Sequence, residues 1–503
     1  MFIRQKKNKR GVISIQVIDK SSGKYKLLKT IGSSLDKLKV KQLLTDADVW
    51  VKKHNGLIEI DFSQTDILLE QLVASIQQIK IVGIELLLGK LFTDIGFATI
   101  KDALFKKLVL SRLCYPLSKL KTVDYLRRYE GFETNETAIY RYLDKLNTSH
   151  KRAVQNISYQ HTLKVLNNSI QLVFYDVTTL YFEVEQEDGL RKTGFSKDGK
   201  HQQPQIVLGL LVSTGGYPLA YEIYNGKKYE GDTMLPVLNL FKRKYKLQNL
   251  VVVADAGLLS NKNIESLQNN GYQYILGARI KNESKAITTQ IQTLQLENGA
   301  SATLQKNYNT KLIISYSLAR AKKDSANREK GIAKLEKQIK TGKLTKAQIN
   351  NKGYNKFLKM NGEIKIVVDK SKIVADKKWD GLKGFITNTT LSKEAVIENY
   401  GHLWQIEKAF RVAKTDLKIR PIYHYVQRRI EAHICLAFVA YKIYKELERQ
   451  LKEKQSILSP EKAIEIAKTI YSIQAIKPNS KEVFEKTLLL NEEQLNLIAL
   501  FYP

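Results

Sequence analysis

The sequence predicts an α/β chain with a mixed β-sheet at its centre and helical regions on either side. Three observations carry this. Up to about residue 165 the hydrophobic period is helical, with Leu and Ile at three- and four-residue spacing through IELLLGKLFTDIGFATIKDALFKKLVLSRL. Near residue 170 the period changes to short apolar runs bounded by turn residues, in the order β-β-β-α-β-α-β. Two of these runs, IQLVFYDV and LQNLVVVAD, bring an aspartate to their ends, Asp176 and Asp255.

The totals bound the class. At 503 residues the chain is long enough for two to four domains. A hydrophobic content of 43% excludes general disorder. Lys and Arg number 82 against 50 acidic residues, a net charge of +32. That excess calls for a polyanionic partner, with a phosphodiester backbone ahead of a membrane surface. No apolar run reaches the roughly 18 residues needed to span a bilayer. The start, MFIRQKKNKRGVISIQV, alternates instead of forming a signal-peptide core. Cys114 and Cys435 are far apart in apolar helical surroundings, so buried thiols are expected and neither a disulfide framework nor a zinc site is available. An intracellular, cytoplasmic protein is the expectation.

The elements follow in order. Residues 1–33 read as a small β-unit: GVISIQVID alternates, SSGK turns, and YKLLKTIG returns. Residues 34–165 read as a helical region. Within it TVDYLRRYEGFETNETAIYRYLDKL suits two helices about a Gly-containing turn, the second capped by Thr134 or Asn135. This is either a helix-turn-helix that presents Arg141 and Lys145 to DNA or an ordinary helical hairpin. Residues 166–450 hold the sheet. After IQLVFYDV, the strands PQIVLGLLV and PLAYEIYNG are joined by STGGY. A helix from Thr233 to about Tyr245 leads to LQNLVVVAD, a helix from Ser260 to Gly271 follows, and YQYILGAR is the fifth strand. This order is that of a ribonuclease H-like core, in which the first and fourth strands are neighbours. Residues 281–380 are too long for a loop and predict an inserted β-rich and helical subdomain. GFITNTT returns to the sheet. LSKEAVIENYGHLWQIEKAFRVAKTDL, from Leu391 to Leu417, then reads as one long helix opening on Ser392. Residues 451–503 read as a helical C-terminal region.

The chemistry follows from where the acids fall. Neighbouring strands would bring Asp176 and Asp255 to one edge of the sheet. Glu407, on a helix packed against that edge, would complete a cluster of three. Crowded carboxylates repel, and divalent cations relieve the repulsion. Hard oxygen ligands suit Mg²⁺ or Mn²⁺. Two such ions, roughly 3.5–4 Å apart, serve phosphodiester chemistry. Tyr400, Glu407 and Lys414 recur at heptad spacing, close to one helix face. Each residue also has a plainer reading: a strand-end Asp as a turn-former, Asp255 before Ala-Gly as a cap, Glu407 as an outward charge. Glu183 is a rival for the third carboxylate.

Three blocks carry a family resemblance: YDVTTLYFE, VVVADAGLLS and YGHLWQIEKAFRVAK. They resemble the catalytic blocks of DDE transposases of the IS4 superfamily, and the layout with its N-terminal β-unit is most similar to the IS1634 group. The resemblance implies that Asp176, Asp255 and Glu407 form the catalytic, metal-binding triad for two Mg²⁺ or Mn²⁺ ions. In the superfamily's Tyr-Arg-Glu-Lys motif, Tyr400, Glu407 and Lys414 match, while Leu403 stands at the Arg position. Arg411, one turn after Glu407, is a possible substitute for that phosphate contact. Trp379 and Tyr354, in the insertion, are either bases' stacking partners or ordinary aromatics. What the resemblance implies is an insertion-sequence transposase that binds terminal inverted repeats and target DNA, as a homodimer in the synaptic complex, associated with the nucleoid. The rival readings are a ribonuclease H-like junction nuclease and a non-catalytic DNA-binding repressor.

Overall fold

The computed structural model describes the chain apart from residues 22, 56–69, 72, 147, 259, 343, 345–348, 351–352, 362–364, 478–481 and 503. It divides into two compact units, Met1–Ile79 with Ile473–Lys486, and Lys80–Ser472 with Thr487–Pro503. Part of the helical region expected over 34–165, at 56–69 and 72, lies outside the described residues.

The first unit opens with three antiparallel strands, β1 (Phe2–Lys7), β2 (Ile13–Asp19) and β3 (Lys26–Ser34). Alternation in β2 puts Ile15 and Val17 on one face, where they bury against Val40 and Ala47 of the Lys37–His54 helix. Asp36 caps that helix by accepting from the Leu38 amide. The expected hairpin is therefore β2–β3, and the basic start adds a third strand to it. A strand the helical reading had not anticipated follows, β4 (Ile76–Ile81), whose sequence IQQIKI alternates.

The second unit is built on an eight-stranded sheet. Its strands are β5 (Leu172–Tyr181), β6 (Gln205–Ser213), β7 (Pro218–Asn225), β8 (Val251–Ala254), β9 (Gln273–Ala278), β10 (Ser301–Asn307), β11 (Thr310–Tyr316) and, after a hairpin of β12 (Leu358–Asn361) and β13 (Lys365–Val368), β14 (Leu382–Thr387). The spatial order is β10-β11-β14-β9-β8-β5-β6-β7. β5–β8 and β8–β9 pair in parallel and the remaining neighbours antiparallel. The first and fourth strands of the core, β5 and β8, are thus side by side.

Both faces of the sheet are covered, so its central strands are apolar throughout. Tyr175, Val177, Val252 and Ala254 point to a core shared with Val237, Phe241 and Leu267 from the Met234–Tyr245 and Asn261–Asn269 helices. Phe174, Leu180 and Val253 point to the opposite core, among Tyr400, Ile406, Phe410 and Phe438. Strand alternation places Asp176 with Phe174 and Asp255 with Val253, on this second face.

Four expectations change. β5 runs on to Tyr181, so Asp176 lies within the strand instead of ending it. The stretch 281–380 is only partly an insertion. β10 and β11 join the main sheet through β14, because TKLIISY is apolar enough to be buried on both sides. The Leu318–Lys340 helix and the β12–β13 hairpin instead make a small core of their own around Leu335, Phe357 and Leu358. The long helix from Leu391 is two helices, Lys393–Gly401 and Trp404–Thr415. Gly401 is a weak helix former, and the turn after it sends Leu403 into the core at 7% exposure. Ser392 caps the first of them, accepting from the Ala395 amide. Finally, the C-terminal region includes β15 (Tyr471–Ile476) and β16 (Val483–Leu488) in a three-stranded sheet ordered β16-β15-β4. Alternation in YSIQAI and VFEKTL outweighs the helical signals around them.

Candidate active site

The register of β5 and β8 decides where the first two acids stand. Tyr175 is opposite Ala254, the last paired rung, and the next residues are Asp176 and Asp255. Parallel strands lie about 4.8 Å apart, so the two carboxylates leave neighbouring backbones on the same face where the strands part. β8 ends there, while β5 continues against β6. Asp255 opens a single 3₁₀ turn, Ala256–Leu258, its carbonyl accepting from the Leu258 amide.

The Lys393–Gly401 helix lies on β8 and β9, and the Trp404–Thr415 helix on β5 and β6. They bring Tyr400 to Asp255, and Glu407 near enough for its charge to act on Tyr400. The Tyr400 hydroxyl donates to Asp255 Oδ1 at 3.0 Å. Its ring is buried, edge-on to Phe385 with centroids 4.9 Å apart, and the Lys383 ammonium sits 4.4 Å from its centre. Burial, then the charges of Asp255 and Glu407, push the Tyr400 phenol well above its ordinary range. Lys383 is shifted down by burial and by Arg320, against the pull of Asp255 and Glu407. Glu407 itself is exposed and acts on these groups through its charge.

Asp176 is mostly buried, and burial raises its carboxyl despite a compensating ammonium, Lys197 Nζ, 3.4 Å from Oδ1. The Val177 amide donates to the same oxygen at 2.7 Å. Lys197 also reaches Glu230, 3.5 Å from Oε1. The next residue, Asp198, pairs with Lys414 at 3.3 Å and with Arg420. Lys414 is shifted down by burial, opposed by Asp198.

The expected residues therefore do not all share one place. Asp176, Asp255 and Tyr400 lie along one sheet edge, Glu407 is electrostatically coupled to that edge, and Lys414 approaches it through Asp198. Arg411 instead lines a separate cleft with Lys408, Tyr444 and Glu448. Leu403 is core, and Glu183 stands exposed beyond β5. The cations beside Tyr400 are Lys383 and Arg320, the latter from the start of the Leu318–Lys340 helix. Trp379, Tyr354, Arg320 and Lys383 line a cavity of about 720 Å³. Arg141 and Lys145 are exposed on the Glu136–Lys145 helix, which Asn135 caps. Both cysteines are buried thiols, and burial pushes each up to about 12.

Sequence reasoning missed Lys197, Glu230, Arg320 and Lys383. One signal was available: the connection from β5 to β6 exceeds 20 residues without a strand of its own, and loops of that length are usually functional. Nothing local marks the other three, which come to this region only through folding.

The donor set suits a hard divalent cation. The acids at the edge offer carboxylate oxygens alone, and Glu230 Oε1 is buried without a hydrogen-bond partner. Among the described residues, however, no three acidic, histidine or cysteine side chains converge closely enough to hold an ion. Among them, too, no helix is long and apolar enough to cross a membrane.

No curated protein matches the chain. Among solved structures, a piggyBac transposase synaptic complex with hairpin DNA is similar at 8% identity and TM-score 0.38, over 72% of this chain and 78% of that one. The Mos1 transposase paired-end complex with the left transposon end is similar at 11% identity and TM-score 0.16, over 31% of this chain and 53% of that one. Residues 167–443, more than half the chain and all of β5 to the Trp404–Thr415 helix, match the transposase DDE domain. The chain belongs to the DDE transposase family.

Proposed function

We propose that this protein is the transposase of an insertion sequence, of the IS4 superfamily and most similar to its IS1634 group, with a ribonuclease H-like catalytic core. It binds the terminal inverted repeats of its element, cleaves the DNA strand at their ends and joins the freed ends to target DNA. The observation that carries this reading is that Asp176 and Asp255 directly follow the last paired rung of the parallel strands β5 and β8, on the face that the helix of Glu407 covers. The net charge of +32 supplies the attraction for the phosphodiester backbone.

Asp176, Asp255 and Glu407 are the residues that would hold two Mg²⁺ or Mn²⁺ ions. Bound there, the ions would activate the attacking oxygen and stabilise the leaving one. Tyr400 orients the Asp255 carboxylate through its hydroxyl. Lys414, held in place by Asp198, meets backbone phosphates at one end of the site. At the other end, Arg320 and Lys383 stand where the motif's missing arginine would be expected to act; their position beside Tyr400 favours them over Arg411 for that contact. The working assembly is a homodimer that pairs two ends, in the cytoplasm and associated with the nucleoid.

Asp176→Asn tests the assignment. It should abolish nicking of a duplex carrying the inverted repeat while leaving binding of that duplex nearly unchanged. Nicking at the wild-type rate would reject it. A strand-transfer assay on short end-bearing duplexes separates a transposase from a junction nuclease, which cuts without joining. Binding without nicking in either metal would instead point to a repressor.

A further inference from the structure

Lys197 joins two carboxylates that come from different parts of the chain. Its ammonium lies 3.4 Å from Asp176 Oδ1 and 3.5 Å from Glu230 Oε1, and it donates to the Val177 carbonyl at 2.7 Å. Its own amide donates to Thr179 Oγ1 at 3.2 Å, so β5 itself holds the lysine in place. The ammonium thus hydrogen-bonds Asp176 and the Val177 carbonyl, and it pairs with Glu230 by charge without a hydrogen bond.

Glu230 is positioned with equal care. It opens the short turn Glu230–Asp232 after β7. Asn263 ties that turn to the one following Asp255, its Nδ2 donating to the Gly231 and Leu258 carbonyls at 2.8 Å each. The Thr233 hydroxyl holds the Glu230 carbonyl at 2.5 Å. A methyl group on Gly257 would stand 4.0 Å from Glu230 Oε2, which places this carboxylate beside the backbone two residues past Asp255. Its other oxygen is buried and makes no hydrogen bond. A buried carboxylate oxygen without a donor costs free energy unless a cation faces it, and the cation facing this one is the Lys197 ammonium.

We propose that Glu230 is a fourth carboxylate of the metal site, and that Lys197 is a built-in counter-cation that holds Asp176 and Glu230 together until a divalent ion displaces it. The inference rests on the triad reading given above. The ammonium already faces the oxygens of Asp176 and Glu230 that an ion would need. A compact, mobile ammonium on a flexible stem suits this role, because it can withdraw without disturbing the sheet.

The test is Mn²⁺ binding by calorimetry on the full chain, with melting temperature in chelator as a second readout. Glu230→Gln should weaken Mn²⁺ binding by about tenfold or more, the usual effect of losing a group that supports a metal site. Lys197→Met should tighten Mn²⁺ binding, lower the melting temperature in chelator, and gain more stability from added Mn²⁺ than the wild type does. Lys197→Arg, which keeps the charge, should hold the chelator melting temperature close to wild type. Asp176→Asn should lose Mn²⁺ binding altogether. Wild-type Mn²⁺ affinity in Glu230→Gln, or weakened affinity in Lys197→Met, overturns the inference while a defective Asp176→Asn leaves the triad standing. Wild-type affinity in Asp176→Asn instead removes the triad reading itself.

Discussion

Tyr400→Phe removes one hydroxyl and leaves the ring. In the fold that hydroxyl donates to the Asp255 carboxylate at 3.0 Å from a buried position. A hydrogen bond to a charged group contributes about 1.5–3 kcal/mol. If the bond is needed to hold Asp255 for chemistry, cleavage should slow by roughly 10- to 150-fold, at about 1.4 kcal/mol per decade. The assay is single-turnover nicking of a labelled inverted-repeat duplex, with binding followed in parallel. Binding should stay within about twofold, since the phenol is buried and contributes no charge to phosphate recognition. Gly277→Ala provides an independent route to the same loss. The added methyl would stand 2.5 Å from the Tyr400 hydroxyl and 3.0 Å from the Ala256 amide nitrogen. The ring is held by Phe385 and Lys383, so the hydroxyl must move off Asp255. In the double variant the methyl occupies space the hydroxyl has left, and the two effects should fall well short of adding. Wild-type nicking by Tyr400→Phe, or full additivity in the double variant, would refute the reasoning.

Two further outcomes are expected. His161 and His424 are both pushed down to about 4, mainly by burial and then by neighbouring cations: Lys442, Arg449 and Lys164 around His161, with Glu446 opposing, and Lys119, Arg112 and Arg429 around His424, with Asp144 opposing. Unfolded, each histidine takes up its proton near pH 6.5. Between about 6.5 and 4 the unfolded chain therefore binds more protons than the fold, and stability falls as the pH drops through that window. By pH 5 each contributes on the order of 2 kcal/mol of destabilisation; the melting temperature of His424→Asn should fall less steeply between pH 7 and 5 than that of the wild type. Arg320→Ala, measured by end binding across a salt series, should weaken binding at low salt and reduce the slope of log affinity against log salt by about one; an unchanged slope would exclude a phosphate contact.

Local pattern was enough for several features. The β-β-β-α-β-α-β order, the caps at Asn135, Ser260 and Ser392, and the place of Asp255 just past a strand are all short-range signals, because hydrophobic period and capping chemistry act within a few residues. The same pattern misjudged the Leu391–Leu417 helix. Heptad spacing cannot register the break after Gly401, where the chain turns with Leu403 buried before the second helix begins. Nor did it show that β10 and β11 extend the main sheet, since strand partners lie far away in the chain.

The sequence by itself determined that this chain is basic and that it carries a mixed sheet, because composition and hydrophobic period are written locally. Only the tertiary structure decided which charged groups stand around Asp176, Asp255 and Tyr400. Lys197, Glu230, Arg320 and Lys383 reach Asp176, Asp255 and Tyr400 across tens to hundreds of residues. Electrostatic interaction depends on distance through space and on burial, and neither is set until the strands have paired and the helices have packed.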